Sequence, residues 1–140
     1  MRHFRFCYHV TLRRPGMPYK ILIVEDSQTS REFIVSTVLS VDGVEAFTTA
    51  TGFEALKLLS RQRFDLIITD INMPGINGLE LINFVKKSPT YKETPLFVIS
   101  TQGREQDRAK GLALGAAEYL VKPFEPRHLE GLLMRYLHIA

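Results

Sequence analysis

Ile21-Leu22-Ile23-Val24 runs directly into Glu25-Asp26. Four consecutive apolar side chains without polar alternation suit a strand buried on both faces of a parallel sheet, and the two acids suit the loop beyond its carboxyl end. The form recurs along the chain. Leu66–Thr69 is followed by Asp70, Leu96–Ile99 by Ser100, and the short Glu118–Val121 by Lys122. Val44–Thr48 is broken by Glu45 and closes on threonines, which predicts an edge strand. The Glu118 segment is predicted as the other edge.

Helical spacing fills each interval. Ile34, Val35, Val38 and Leu39 follow the polar stretch Ser27–Ser30. Thr51-Gly52-Phe53-Glu54 and Asn77-Gly78-Leu79-Glu80 read as capping boxes, in which the cap oxygen and the glutamate each satisfy an orphan backbone N–H. A helix opening at Thr101 or Gly103 should run through Leu112 and stop at Gly115. Pro126 suits the first turn of a last helix, whose Leu129, Leu132, Leu133, Tyr136 and Leu137 form one apolar stripe. Five strands alternating with five helices predict a doubly wound α/β fold, a three-layer sandwich around a parallel sheet.

Composition narrows the function classes. The 140 residues make one domain of ordinary size, and 45% hydrophobic with 24% charged residues argues against disorder or a membrane protein. The longest apolar runs fall far short of the roughly 20 residues a spanning helix needs. A lone Cys7 excludes an internal disulfide framework and a cysteine-rich zinc site, and suits the reducing cytoplasm. His3, His9, His128 and His138 show no metal-ligand spacing. The net charge of +3 is concentrated in residues 1–16, which hold Arg2, Arg5, Arg13 and Arg14 and no acid. That segment is predicted to be a basic arm outside the core, with the domain occupying 17–140. The body, with 14 basic and 15 acidic residues, is nearly neutral. Neither direct nucleic-acid binding nor membrane attachment is expected.

In an open parallel sheet, ligands bind beyond the carboxyl ends of the strands where strand order reverses. Glu25, Asp26, Asp70, Ser100 and Lys122 are all predicted to reach that edge. Three carboxylates there repel one another unless a cation neutralises them or a proton is taken up. Oxygen-only donors on a hard, partly hydrated site favour Mg²⁺. A lysine and a hydroxyl beside a metal make sense if an anion joins, and a phosphoryl group is the usual one. An aspartate can act as nucleophile toward a phosphoryl donor, with the metal and Lys122 offsetting charge on the equatorial oxygens.

Glu25-Asp26 after the first strand, Asp70-Ile71-Asn72-Met73-Pro74-Gly75 after the third, and Tyr119-Leu120-Val121-Lys122-Pro123-Phe124 at the fifth resemble the signatures of response-regulator receiver domains, especially the single-domain, CheY-like members. The likeness runs from about Pro18 to the C-terminus. It implies a flavodoxin-like (βα)5 fold with sheet order 2-1-3-4-5. It further implies that Asp70 is the phosphoacceptor of a two-component system, and that Asp26 and Asp70 are side-chain Mg²⁺ ligands. Glu25 would act largely through water, and Asn72 through its backbone carbonyl. By the same likeness Ser100 is the switch hydroxyl, Lys122 pairs with the phosphoryl group, and Tyr119 is the aromatic that turns inward. A cis peptide is implied at Lys122–Pro123. The side chains of Asn72 and Gln102 would tune how long the phosphorylated state lasts. The implied partners are a histidine kinase or histidine phosphotransfer protein, and a downstream protein on the surface of the fourth helix, fifth strand and fifth helix. Output by protein contact is expected, with no output domain.

Such a domain catalyses its own phosphorylation and slow dephosphorylation but is not otherwise an enzyme. Two rivals stand beside this reading. A haloacid-dehalogenase-like phosphatase also uses a strand-end aspartate, Mg²⁺, a hydroxyl and a lysine. Its nucleophile, however, follows the first strand, where this chain has Glu25-Asp26. A receiver-like module that binds without phosphorylation would have no use for the full set of acids, serine and lysine.

Overall fold

The computed structural model describes residues 16–139. Cys7 and all but the last residue of the predicted arm lie outside that range. The elements are β1 (Tyr19–Val24), α1 (Gln28–Leu39), β2 (Val44–Thr49), α2 (Gly52–Arg61), β3 (Leu66–Thr69), α3 (Gly78–Lys87), β4 (Leu96–Ser100), α4 (Glu105–Leu114), β5 (Glu118–Val121) and α5 (Pro126–Tyr136). The five strands are parallel in the order β2-β1-β3-β4-β5, so the punctuated Val44 segment and the short Glu118 segment are the edges, as predicted. This is the (βα)5 flavodoxin-like fold. Strand order reverses between β1 and β3, and each is followed directly by an acid, Glu25 and Asp70.

The strand alternation divides the core in two. Ile21 and Ile23 join Leu66, Ile68, Phe97 and Ile99 on the face covered by α1 (Ile34, Val38) and α5 (Leu129, Leu132, Leu133). Leu22 and Val24 join Ile67 and Val98 on the face covered by α2 (Ala55, Leu59) and α3 (Leu81, Ile82, Val85). Each such fully buried aliphatic side chain contributes about 1.5–3 kcal/mol of transfer free energy, enough to hold the strand ends in place. Tyr91 closes the second layer, its hydroxyl donating to the carbonyls of Leu59 and Gln62 at the end of α2.

Local capping sets where the helices begin. Ser27 caps α1 by accepting the Ser30 N–H. At α3 the predicted box is complete, Asn77 accepting the Glu80 N–H (2.9 Å) and Glu80 accepting the Asn77 N–H (3.1 Å). At α2 it is shifted. Thr51 accepts the Glu54 N–H, but Glu54 reaches past the cap to the Ala50 N–H. The fourth helix departs further from expectation, starting at Glu105 with Arg104 as an N-cap whose side chain makes no capping bond. Two contacts hold residues 101–103 out of it. The Ser100 hydroxyl takes the Gln102 N–H, and Gly103 lies so close to β5 that a Cβ there would stand 3.2 Å from Val121 Cγ1. Gly115 ends α4 at φ +119°, as its position predicted.

Candidate functional site

The β1–α1 loop supplies the most buried acid. Glu25 is 1% exposed, and its backbone N–H donates to the Thr49 carbonyl of β2. One carboxylate oxygen, Oε2, accepts the Ser27 N–H (3.1 Å). The other, Oε1, accepts the Ser30 hydroxyl (3.0 Å) and the Lys122 ammonium (2.5 Å). Arg31 adds a bond from its guanidinium to the Glu25 carbonyl (2.8 Å). The next residue, Asp26, is exposed.

Asp70 follows β3 and is almost fully buried. Its Oδ1 accepts the Ile71 N–H (2.6 Å) and its Oδ2 the Lys122 ammonium (3.1 Å). The backbone around it is cramped, because Gly78 at the start of α3 lies where a Cβ would come within 2.1 Å of the Asp70 carbonyl oxygen. Only glycine lets α3 begin there. Thus Glu25, Asp26 and Asp70 each bring an oxygen within 4.8 Å of the others, and Lys122 bridges two of them. Burial alone draws the Lys122 ammonium down. The Glu25 hydrogen bond and the Asp70 charge outweigh it, and the net effect holds the lysine above its ordinary range. The Lys122–Pro123 peptide is cis, as the sequence reading expected.

Ser100 ends β4, fully buried, on the strand next to β3. Its hydroxyl oxygen accepts the Gln102 N–H at 3.1 Å. Tyr119, on β5, is 5% exposed and turned inward, its hydroxyl donating to the Gln102 carbonyl at 2.6 Å. Burial pushes its phenol up, and the Ser100 hydroxyl beside it offsets part of that. Asn72 is exposed in the β3–α3 loop and Gln102 is half-buried in the β4–α4 loop. The structure therefore brings together every acid predicted for the site, with Lys122 between two of them. The serines that hold Glu25 were missed. Their place in the polar stretch Ser27–Ser30 was the available signal, but in the sequence that stretch only marks where α1 begins.

The three acids present oxygen donors only and formally outweigh the one ammonium by two charges, which fits a hard divalent cation. Asp26 is open to solvent, so a partly hydrated ion has access. Oxygen donors at the sheet's switch point, a bridging lysine and a strand-end hydroxyl thus share one edge of a flavodoxin-like scaffold.

Comparison with known proteins specifies the class. The family model for the response regulator receiver domain matches residues 21–133, and the chain belongs to that family. It is a domain of two-component phosphorelay signalling, a signalling family and not one of classical enzymes. A chemotaxis protein CheY homolog of Campylobacter jejuni is 35% identical over 112 residues, covering 79% of this chain and 86% of that protein. A probable transcriptional regulator ycf29 of Pyropia yezoensis is 36% identical over 117 residues, covering 81% of this chain, and the chain spans half the length of that relative. Chemotaxis response regulator CheY4 of Vibrio cholerae superposes with a TM-score of 0.78 at 38% identity, over 86% of this chain and 99% of that one. The receiver domain of sensor histidine kinase PA1611 of Pseudomonas aeruginosa, solved with a magnesium ion coordinated in its active-site cleft, gives 0.78 at 26% identity, over 86% and 98%. Among the described residues no helix is long and apolar enough to cross a membrane.

Proposed function

We propose that Asp70 accepts a phosphoryl group from a phosphohistidine on a histidine kinase or phosphotransfer protein. An Asp70 carboxylate oxygen forms the new O–P bond as the donor's N–P bond breaks, and the electron pair stays with the imidazole, which takes up a proton. The observation that carries this reading is the Lys122 ammonium shared between Glu25 and Asp70 inside the acid cluster. A cation placed there can follow the added negative charge onto the phosphoryl oxygens.

Asp26 and Asp70 would hold Mg²⁺ by their side chains, Glu25 through water and Asn72 by its carbonyl. When bound, the ion offsets charge on the transferring group. Glu25 is otherwise occupied, with both oxygens committed to Ser27, Ser30 and Lys122, which suits an indirect role. Ser100 turns its hydroxyl proton toward a phosphoryl oxygen and Tyr119 holds the inward position. The surface of α4, β5 and α5 is then biased toward a downstream protein. Asn72 and Gln102 border the path by which water attacks the acyl phosphate, giving slow self-dephosphorylation.

Incubation with acetyl phosphate and Mg²⁺ tests the reading. The expected result is a gain of one phosphoryl group by intact mass, labile to hydroxylamine and mapped to Asp70, and absent from Asp70→Ala. Undiminished labelling of Asp70→Ala removes Asp70 from the mechanism. A folded protein that takes no label and binds no beryllofluoride is the phosphorylation-independent module instead.

A further inference from the structure

Glycine is the poorest ordinary helix former after proline, and alanine the best. Yet α4 carries Gly111 in its interior, and Gly111 is its only buried residue. The reason lies across the interface. A Cβ on Gly111 would stand 3.1 Å from Cδ2 and 3.3 Å from Cε2 of Tyr119. The ring has little freedom to retreat. Its backbone is paired with Val98 of β4, its carbonyl accepts a bond from Arg108 of α4, and its hydroxyl is fixed on the Gln102 carbonyl. Two residues along β5, Gly103 makes the matching approach to Val121. The β4–α4 loop and α4 thus rest on β5 through two glycines, each set against a residue of one strand face.

We infer that Gly111 is a positioning residue for the switch: its missing side chain is the space that lets the Tyr119 ring lie inward beneath α4, and so couples the phosphoryl site to the position of that helix. This rests on the proposed function and adds the residue that sets its conformational balance. A methyl group at 111 meets the inward ring at 3.1–3.3 Å, so either the ring yields by a few tenths of an ångström, straining its Gln102 bond, or α4 lifts by as much. Because α4 has no other buried residue, lifting it is the easier path. Either response loosens the close packing of the inward ring under α4 and leaves the ring more open to solvent, and that packed state is the one a phosphoryl analogue needs.

Two readouts on Gly111→Ala test this. In the resting protein, with ¹³C-labelled tyrosine, the ring signal that vanishes in Tyr119→Ala should shift toward its solvent-exposed position, while the other tyrosines stay put. With Mg²⁺, beryllofluoride affinity should fall about fivefold or more. In a Tyr119→Ala background the same Gly111→Ala change should alter affinity less than about twofold, since the clash is gone. A role confined to helix propensity predicts the opposite pattern, a higher melting temperature with ring signal and affinity unchanged, and that result overturns the inference. So does an equal affinity loss without Tyr119, or a Gly111→Ala chain that fails to fold. Failure of the wild type to bind beryllofluoride counts against the proposed function alone, because the resting ring signal still decides this one.

Discussion

Ser100 and Tyr119 are fastened to the two ends of one residue: the serine hydroxyl accepts the Gln102 N–H at 3.1 Å and the tyrosine hydroxyl donates to the Gln102 carbonyl at 2.6 Å. Neither side chain can reorient without changing what that residue is bonded to. Ser100→Ala leaves the Gln102 N–H short of a partner in a half-buried loop, at a cost of about 1 kcal/mol. Asp70 should still accept label from acetyl phosphate, more slowly, but the Tyr119 ring resonance should no longer respond to it. A response of wild-type size would show that Tyr119 is not reached through Ser100.

Lys122→Ala strands Glu25, an almost completely buried acid whose strongest partner is that ammonium. Breaking such a pair from one side is destabilising by about 3 kcal/mol. Urea unfolding without Mg²⁺ should show the loss, and Glu25→Gln in the same chain should recover part of it.

The same pair sets a pH dependence. Lys122 titrates above its ordinary 10.5 in the folded protein, so the folded state holds this proton more tightly than the unfolded one. Its contribution is fully present below 10.5 and is lost as pH rises through the folded value. In metal-free protein the urea midpoint should therefore fall more steeply above pH 10.5 in the wild type than in Lys122→Met.

Gly78→Ala should be among the most damaging small substitutions, at about 3 kcal/mol, because its methyl meets the backbone of Asp70 and Ile71, which cannot swing aside. Thermal unfolding measures the loss. Asp70 labelling should drop as well, even under conditions where the variant stays folded.

Deleting residues 1–16 should leave the melting temperature within about 2 °C and the labelling rate unchanged. The nearest described residues, Gly16 and Met17, are exposed, and among the described residues the acid cluster is held by Ser27, Ser30, Ile71 and Lys122. Loss of folding would make the arm part of the core.

Much of this architecture was legible beforehand because its signals are local. Ile21–Val24 and Leu66–Thr69 suit strands buried on both sides, and their alternation with helical spacing puts the acids after them at one edge. The start of α4 was not legible. It depends on the Ser100 hydroxyl taking the Gln102 N–H and on Gly103 resting against β5, and no spacing rule encodes either. The same holds for Gly78 against Asp70 and for Gly111 against Tyr119. Their residue types were visible, but their purpose exists only once distant strands are adjacent.

The divided attachment of Lys122 has a last consequence. Since its ammonium already serves two acids, the proposed arrival of charge on Asp70 would ask it to redistribute contacts within a preassembled trio, not to travel or find a partner. On that proposal the step is a swap among neighbours, and it predicts little net change in folding stability. The two states should then interconvert without loosening the sheet beneath them.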